Sequence, residues 1–546
     1  SLSPPPPFSL DGDFLARSSE SERVHVTTAS RAGRAVETGK GDGTVTPPRH
    51  SPLALTPSHT PLHHTVPSRL DYMLRTGAGA DEVVFNDDHW PSHSSREQQR
   101  VEASVVELLD NYVPSPTPDC ERDHLVALAR AAMGLDVAHE SKVASASDGD
   151  EDGFGTRSAT RGLGDDEGRL PVEAMVLNKG GHEGFVRRGL GRLGAGYQTL
   201  DASRPWIVYW CLNALDLMGA PLGEDLEAGV ISFLSHCQDP NGGFAGGPGQ
   251  LAHLAPTYAA VCALSIVGSP EAYEVIDRPA LRSWLLSLKA ECGAFCMHHD
   301  GEVDTRASYC AVHVASVTGI LDDELRRGVG EFVASCQGFD GGIGALPGSE
   351  PHGGYTYCGL AAMLLVGSTH LLRMEPLLFW VASRQMRVEG GFQGRTNKLV
   401  DGCYSFWQGA VPPMAAWALS HGADSVYEVG TMYAPPQSIA PGEVVEARFV
   451  RGGSHLFSQE ALQDYILVAA QQPRGGLRDK PERYADYYHT CYNLAGLSVA
   501  QHNSDGSLTI VGSPFNLLQP VDPVYAISQN KAIQAVRYFA DLGPVM

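Results

Sequence analysis

The chain has 546 residues, with 63 Asp and Glu against 40 Lys and Arg for a formal net charge of -23; this balance excludes general binding to nucleic acid or anionic membranes and leaves room only for a local basic site. Its 11 Cys follow no framework spacing and lie mostly in apolar segments, which points to a reducing compartment. No apolar run approaches the ~18 residues of a membrane span, and the opening SLSPPPPFSL lacks a signal peptide's basic and apolar regions, so a soluble, cytoplasmic protein with no transmembrane segment is expected.

Residues 1–94 are rich in Pro, Ser, Thr, His and Gly, as in SPLALTPSHTPLHHTVPS, and bury too little apolar surface to offset chain entropy. They read as a disordered tail, with the folded domain spanning 95–546. A helix is predicted over REQQRVEASVVELLDNY, where Val101, Val105, Val106, Leu108 and Leu109 form an apolar stripe. A polar insertion within 113–180, containing SASDGDEDGFG, reads as a solvated loop.

From about residue 182 the sequence repeats. Trp206, Tyr258, Tyr309, Tyr357, Phe406 and Tyr492 each open an apolar, small-residue segment, and Gly242, Gly293, Gly341 and Gly390 each precede their aromatic by 16 residues, Gly475 by 17. The unit is outer helix, glycine turn, inner helix, with outer helices ending near Gln238, Gln337, Gln385 and Gln471. The long gap before Tyr492 places a second insertion at 423–455. Ala and Leu at helical spacing in TYAAVCALSIVG and YTYCGLAAMLLVG favour helix over strand. Six such hairpins can close on themselves, which would gather the starts of the inner helices around one mouth.

That mouth carries chemistry. Cys403 and His489 each lie three residues before their repeat's aromatic, and Asp401 lies two before Cys403. A carboxylate, a thiolate and an imidazole are ligands zinc accepts together, leaving a fourth position open as in catalytic sites. Taken alone, Asp-x-Cys has a plainer reading as a helix N-cap and a buried thiol. His352, Arg395, Lys398 and Tyr404 also sit near helix starts, where cationic side chains oppose the helix dipole and are better explained by a phosphate. Trp206, Trp210, Tyr258, Tyr309, Tyr355, Tyr357, Phe406, Trp407 and Tyr492 would line the cavity, some as core and some against an apolar ligand. A long apolar diphosphate held beside zinc fits all three groups.

The stretches LDASRPWIVYW, GGFAGGPGQLAHLAPTYAA, GEVDTRASYC, PHGGYTYCGLAAM, GGFQGRTNKLVDGCYSFWQ and DYYHTCYNLAGLSVAQH closely resemble the β subunits of protein farnesyltransferases, CaaX prenyltransferases, from about Glu97 to the C-terminus. The resemblance implies an all-α fold, the α-α toroid of terpenoid cyclases and prenyltransferases, in a heterodimer with an α subunit. It implies zinc on Asp401, Cys403 and His489, and magnesium with the diphosphate, aided by Asp479. His352, Arg395, Lys398 and Tyr404 match farnesyl diphosphate head-group contacts, of which His352, Lys398 and Tyr404 are the expected catalytic groups, and Tyr355 and Trp407 match its lipid contacts. Trp206, Trp210, His253, Ala255, Arg306 and Tyr488, with Tyr492, resemble the pocket for the isoprenoid and the C-terminal tetrapeptide of CaaX proteins such as small GTPases. The main rival is the β subunit of a type I geranylgeranyltransferase, which Trp206 and Asp479 argue against. Terpene cyclases need DxDD or DDxxD, and neither occurs here. A non-catalytic toroid that docks partners would carry no metal.

Overall fold

The computed structural model describes residues 93–109, 112–113, 170–171, 175–433 and 455–545. In chain order its main helices are α1 (His93–Leu109), α2 (Lys179–Gly189), α3 (Arg204–Leu217), α4 (Glu224–Ser235), α5 (Leu254–Val267), α6 (Arg278–Ser287), α7 (Thr305–Val317), α8 (Val329–Ser335), α9 (Gly353–Val366), α10 (Met374–Ala382), α11 (Tyr404–Trp407), α12 (Val411–His421), α13 (Gln459–Asp464), α14 (Tyr487–Gln501) and α15 (Gln529–Asp541). Residues 1–92 of the tail, most of the first insertion and residues 434–454 of the second lie outside the described residues, while His93 and Ser94, assigned to the tail, begin α1. The two ends of the first insertion meet, Tyr112–Val113 pairing in parallel with Leu170–Pro171.

Composition sorts the helices into two layers. Every residue of α5 and α14 is buried, whereas α4 buries only Val230 and Leu234. A helix apolar all round must lie inside, and a half-polar one outside it. The inner helices pack in sequence, α3 on α5, α5 on α7, α7 on α9, α9 on α11 and α12, α11 on α14, and α14 back on α3, which closes the ring of six expected from the repeats. The fifth inner helix is not continuous. Pro412 and Pro413 open α12, and without N–H groups and with rings crowding the carbonyls four residues back, they cannot extend α11.

The glycine turns fasten the layers. Gly242, Gly341, Gly390 and Gly475 all have positive φ, and a Cβ on them would enter the backbone carbonyls of Ala280, Pro376, Ala461 and Gly181 respectively. Each of those carbonyls lies in the first turn of the next outer helix, so the last turn docks on α2 and completes the circle.

The hydroxyls of Thr257, Thr356 and Thr490 accept the N–H of Phe244, Ile343 and Leu477, each 13 residues upstream. This register makes Cys491, not Tyr492, the counterpart of Tyr258 and Tyr357. The extra residue between Gly475 and Tyr492 is therefore a shift within α14, and Cys403 corresponds to Tyr488 rather than to His489.

The six aromatics touch in order around the ring, Trp206 on Tyr258, then Tyr309, Tyr357, Phe406 and Tyr492. Tyr488 and Trp210 complete the circuit back to Trp206. One end of the ring is floored by Val521–Ser528. Tyr209 and Asn213 donate to the Ala526 carbonyl (2.7 and 3.2 Å), Tyr309 to that of Val524 (2.8 Å) and His313 to that of Tyr525 (3.2 Å). Tyr309 and Tyr357, expected to line the cavity, thus point their hydroxyls at this floor. Residues 423–433, assigned to the second insertion, begin it as core: Tyr427, Met432 and Tyr433 are buried, and Tyr427 donates to Asp522 (2.8 Å). Helix α1 places Val101, Val105 and Leu109 on one buried stripe, and it packs on the segment Tyr465–Ala470. Among the described residues, no helix is long and apolar enough to cross a membrane.

Candidate functional site

One position recurs at the starts of the inner helices. His253, Asp304, His352 and Asp486 cap α5, α7, α9 and α14, each side chain accepting a backbone N–H of the first turn. Asp401 is the fifth member, its Oδ1 accepting the Cys403 N–H at 3.0 Å. The candidate site is assembled from these caps and the residues just beyond them.

Asp401, Cys403 and His489 come together, with one ligand atom from each lying within 4.8 Å of the others. His489 Nε2 is 3.1 Å from Asp401 Oδ1, while its Nδ1 is 2.7 Å from Asp486 Oδ2. Burial opposes ionisation of Asp401, but His489 outweighs it, with help from Lys480, and holds the carboxyl below its usual range. Burial also disfavours charge on His489, yet the Asp486 and Asp401 carboxylates raise it well above an ordinary imidazole. The Cys403 thiol is pushed up by burial and then by Asp401. One oxygen, one sulfur and one imidazole turned into place by a carboxylate suit zinc, which would displace the protons of Cys403 and His489. Sequence reading missed Asp486; measuring the repeat from Gly475 puts it at the cap position of Asp401.

The anion residues sit on neighbouring caps. His352 Nδ1 accepts the Gly354 N–H at 3.1 Å, so the ring proton is on Nε2 and is donated to the Tyr404 oxygen at 2.8 Å. That leaves the Tyr404 hydroxyl to act as a donor. Arg395 pairs with Glu350, and Lys398 is exposed on the same loop. Asp479 was expected near the diphosphate; its carboxylate is engaged by Lys480, a buried residue whose ammonium also faces Asp401 and which sequence reading passed over.

The remaining pocket residues are connected. Arg306 is held by Asp304 through Nε (3.0 Å) and Nη2 (2.6 Å) and lies over the Tyr355 ring at 5.7 Å. His253 accepts the Ala255 N–H, and burial, with His298 and Arg306 adding, pushes its pKa down to about 3. Trp407 Nε1 donates to the Tyr488 hydroxyl at 3.1 Å, and its ring meets Tyr492 at 4.2 Å. Trp206 Nε1, Trp210 Nε1 and Tyr492 Oη are buried without a hydrogen-bond partner among the described residues. Such orphaned atoms belong on walls that water or a ligand completes.

Residues 177–527 match the family described as prenyltransferase alpha-alpha toroid domain. The protein farnesyltransferase subunit beta of Arabidopsis thaliana is 42% identical over 65% of this chain and 81% of its own length. That of Schizosaccharomyces pombe is 37% identical, over 66% and 89%. The geranylgeranyl transferase type-1 subunit beta of Arabidopsis thaliana is more distant, 30% identical over 46% of this chain and 59% of its own. Among solved structures, Candida albicans protein geranylgeranyltransferase-I complexed with GGPP aligns with a TM-score of 0.50 and 20% identity, covering 66% of this chain and 99% of that one, a likeness of fold. The chain is thus a member of the protein farnesyltransferase β-subunit family, built on the prenyltransferase α-α toroid.

Proposed function

We propose that this chain is the catalytic β subunit of a cytoplasmic protein farnesyltransferase, which works with an α subunit to move the farnesyl group of farnesyl diphosphate onto the Cys thiol of a C-terminal CaaX sequence. The observation that carries the reading is the Asp401, Cys403 and His489 cluster beside the His352 and Tyr404 pair at one mouth. In the reaction a bond forms between sulfur and the first carbon of the isoprenoid, the carbon–oxygen bond to diphosphate breaks, and the thiol proton is released. Asp401, Cys403 and His489 would hold zinc, which when bound would favour the thiolate of an incoming Cys whose ordinary pKa of about 8.5 leaves it mostly protonated at neutral pH.

The chain's own groups act on the other substrate. Departure of diphosphate builds negative charge, and Tyr404, aligned by His352, donates a hydrogen bond toward it, while Lys398 and Arg395 supply positive charge. Arg395 must exchange Glu350 for phosphate. Asp479, which pairs with Lys480, is the carboxylate that would help hold a magnesium ion on the diphosphate, where the ion would offset the developing charge. The aromatic ring takes up the isoprenoid, Trp206 and Tyr492 limiting its length, and Arg306, His253, Ala255, Trp210 and Tyr488 border the tetrapeptide. Holding both substrates in one chamber removes most of the entropic cost of their encounter.

Purified with its α partner, the parent should hold one zinc ion per β chain, and Cys403→Ala or His489→Ala should lose both the ion and transferase activity while keeping helical circular dichroism. Full zinc occupancy in either variant would overturn the ligand assignment.

A further inference from the structure

The outer helix of the sixth repeat does not end as an ordinary α-helix. After α13 the chain runs through a π-helical turn, Tyr465–Ala470, with Tyr465 fully buried. Such turns insert an extra residue, cost hydrogen-bond geometry and recur at functional sites. Here the turn directs the Tyr465 hydroxyl at the backbone carbonyl of Asp479, to which it donates. The same carbonyl accepts the N–H of Gly402 at 2.7 Å. Gly402 lies between Asp401 and Cys403, so one carbonyl ties the π turn to the centre of the metal-site loop. Asn493 also packs against the loop, and its Nδ2 donates to the carbonyls of Arg478 (3.0 Å) and His489 (2.9 Å). Its side chain occupies the space a Cβ on Gly402 would need. The π turn is itself tied down: Arg478 Nε donates to the Ala469 carbonyl at 2.9 Å, and the Arg478 N–H to that of Ala470 at 3.0 Å.

We propose that Tyr465 is a positioning residue for the metal centre, with Asn493 as its counterpart. Tyr465 fixes the Asp479 carbonyl, the carbonyl fixes Gly402, and Gly402 sets the spacing of Asp401 and Cys403 from the His489 that Asn493 holds. The inference rests on the zinc reading given above.

The test uses the intact α/β heterodimer. Tyr465→Phe keeps the ring and removes one hydroxyl; Asn493→Ser shortens the other arm. Zinc transfer to a colorimetric chelator, the visible spectrum of the cobalt-substituted protein and thermal unfolding of the zinc-free form are measured together. Tyr465→Phe should release zinc about tenfold faster and alter the cobalt bands, while the zinc-free form unfolds within a few degrees of the parent. Release within twofold of the parent with an unchanged cobalt spectrum would overturn the proposal, as would faster release matched by an equal loss of stability in the zinc-free form. If Tyr465→Phe fails to assemble, Asn493→Ser faces the same criteria. A parent that holds no zinc would sink the metal-centre reading itself, whereas a parent that holds zinc beside an indifferent Tyr465→Phe would sink this inference alone.

Discussion

At the residue scale, Trp206 makes the sharpest claim. It is buried, packs on Tyr258 and Trp210, and is linked to Tyr492 across the ring seam through Trp210 and Tyr488. A fourth isoprene unit would gain about 0.8 kcal/mol for each CH₂ it buried, so its exclusion must be steric. Trp206→Thr should shift the ratio of specificity constants toward the twenty-carbon diphosphate by tenfold or more, about 1.4 kcal/mol in the transition state. Competition between the two labelled diphosphates for one CaaX peptide measures it; an unchanged preference would make Trp206 core packing alone. The sequence pointed to Asp401, Cys403 and His489 because repetition places chemically matched residues at one level. Its phase was one residue out in the sixth repeat, and that error hid Asp486, whose role depends on the cap register. Lys480 and Tyr465 were invisible for another reason: each acts on a partner that no motif or period connects to it.

At the element scale, the separation into inner and outer helices was legible, since a helix apolar on every face has one place to go. The break between α11 and α12 was equally present in the paired prolines and was passed over because the aromatic period ran through it. The glycine turns were recognised as turns, but their cause is tertiary. Gly475→Ala should lower the unfolding free energy by about 3 kcal/mol, combining positive φ with overlap on the Gly181 carbonyl. Gly180→Ala, in the same docked helix, meets nothing within 4 Å and should be neutral or stabilising by up to about 1 kcal/mol. Urea midpoints of the two variants separate a strained turn from a generic loss of flexibility, and equal midpoints would refute the docking account.

At the scale of the whole molecule, the floor was the least legible part. Residues 521–528 bind the ring through their carbonyls, and backbone partners leave no trace in side-chain patterns. Asp522 sits at their centre, accepting from Tyr427 and from the N–H groups of Val524 (2.9 Å) and Tyr525 (3.1 Å). Burial, only partly offset by Tyr427 and those amides, raises its pKa from 3.8 to about 6. Because the folded form holds this proton more tightly than the unfolded form, the associated stability is complete below about pH 4 and is lost as the pH rises through 6, a cost of about 3 kcal/mol at neutral pH. Asp522→Asn keeps an acceptor for the amides, and the Tyr427 hydroxyl can accept from its NH₂. It should therefore flatten the decline in melting temperature between pH 4 and 6 and raise stability at pH 7; a parent-like pH profile would show that Asp522 is not the group responsible. The floor also ties completion of the chamber to the order of synthesis. A ribosome delivers the mouth, its caps and all six inner helices before it delivers the carbonyls that Tyr209, Asn213, Tyr309 and His313 require. A premature stop just after Gln501 would spare every candidate ligand and yet yield a cylinder open at that end, its apolar interior exposed and those donors stripped of their acceptors, a species for quality control to remove rather than a weakened enzyme.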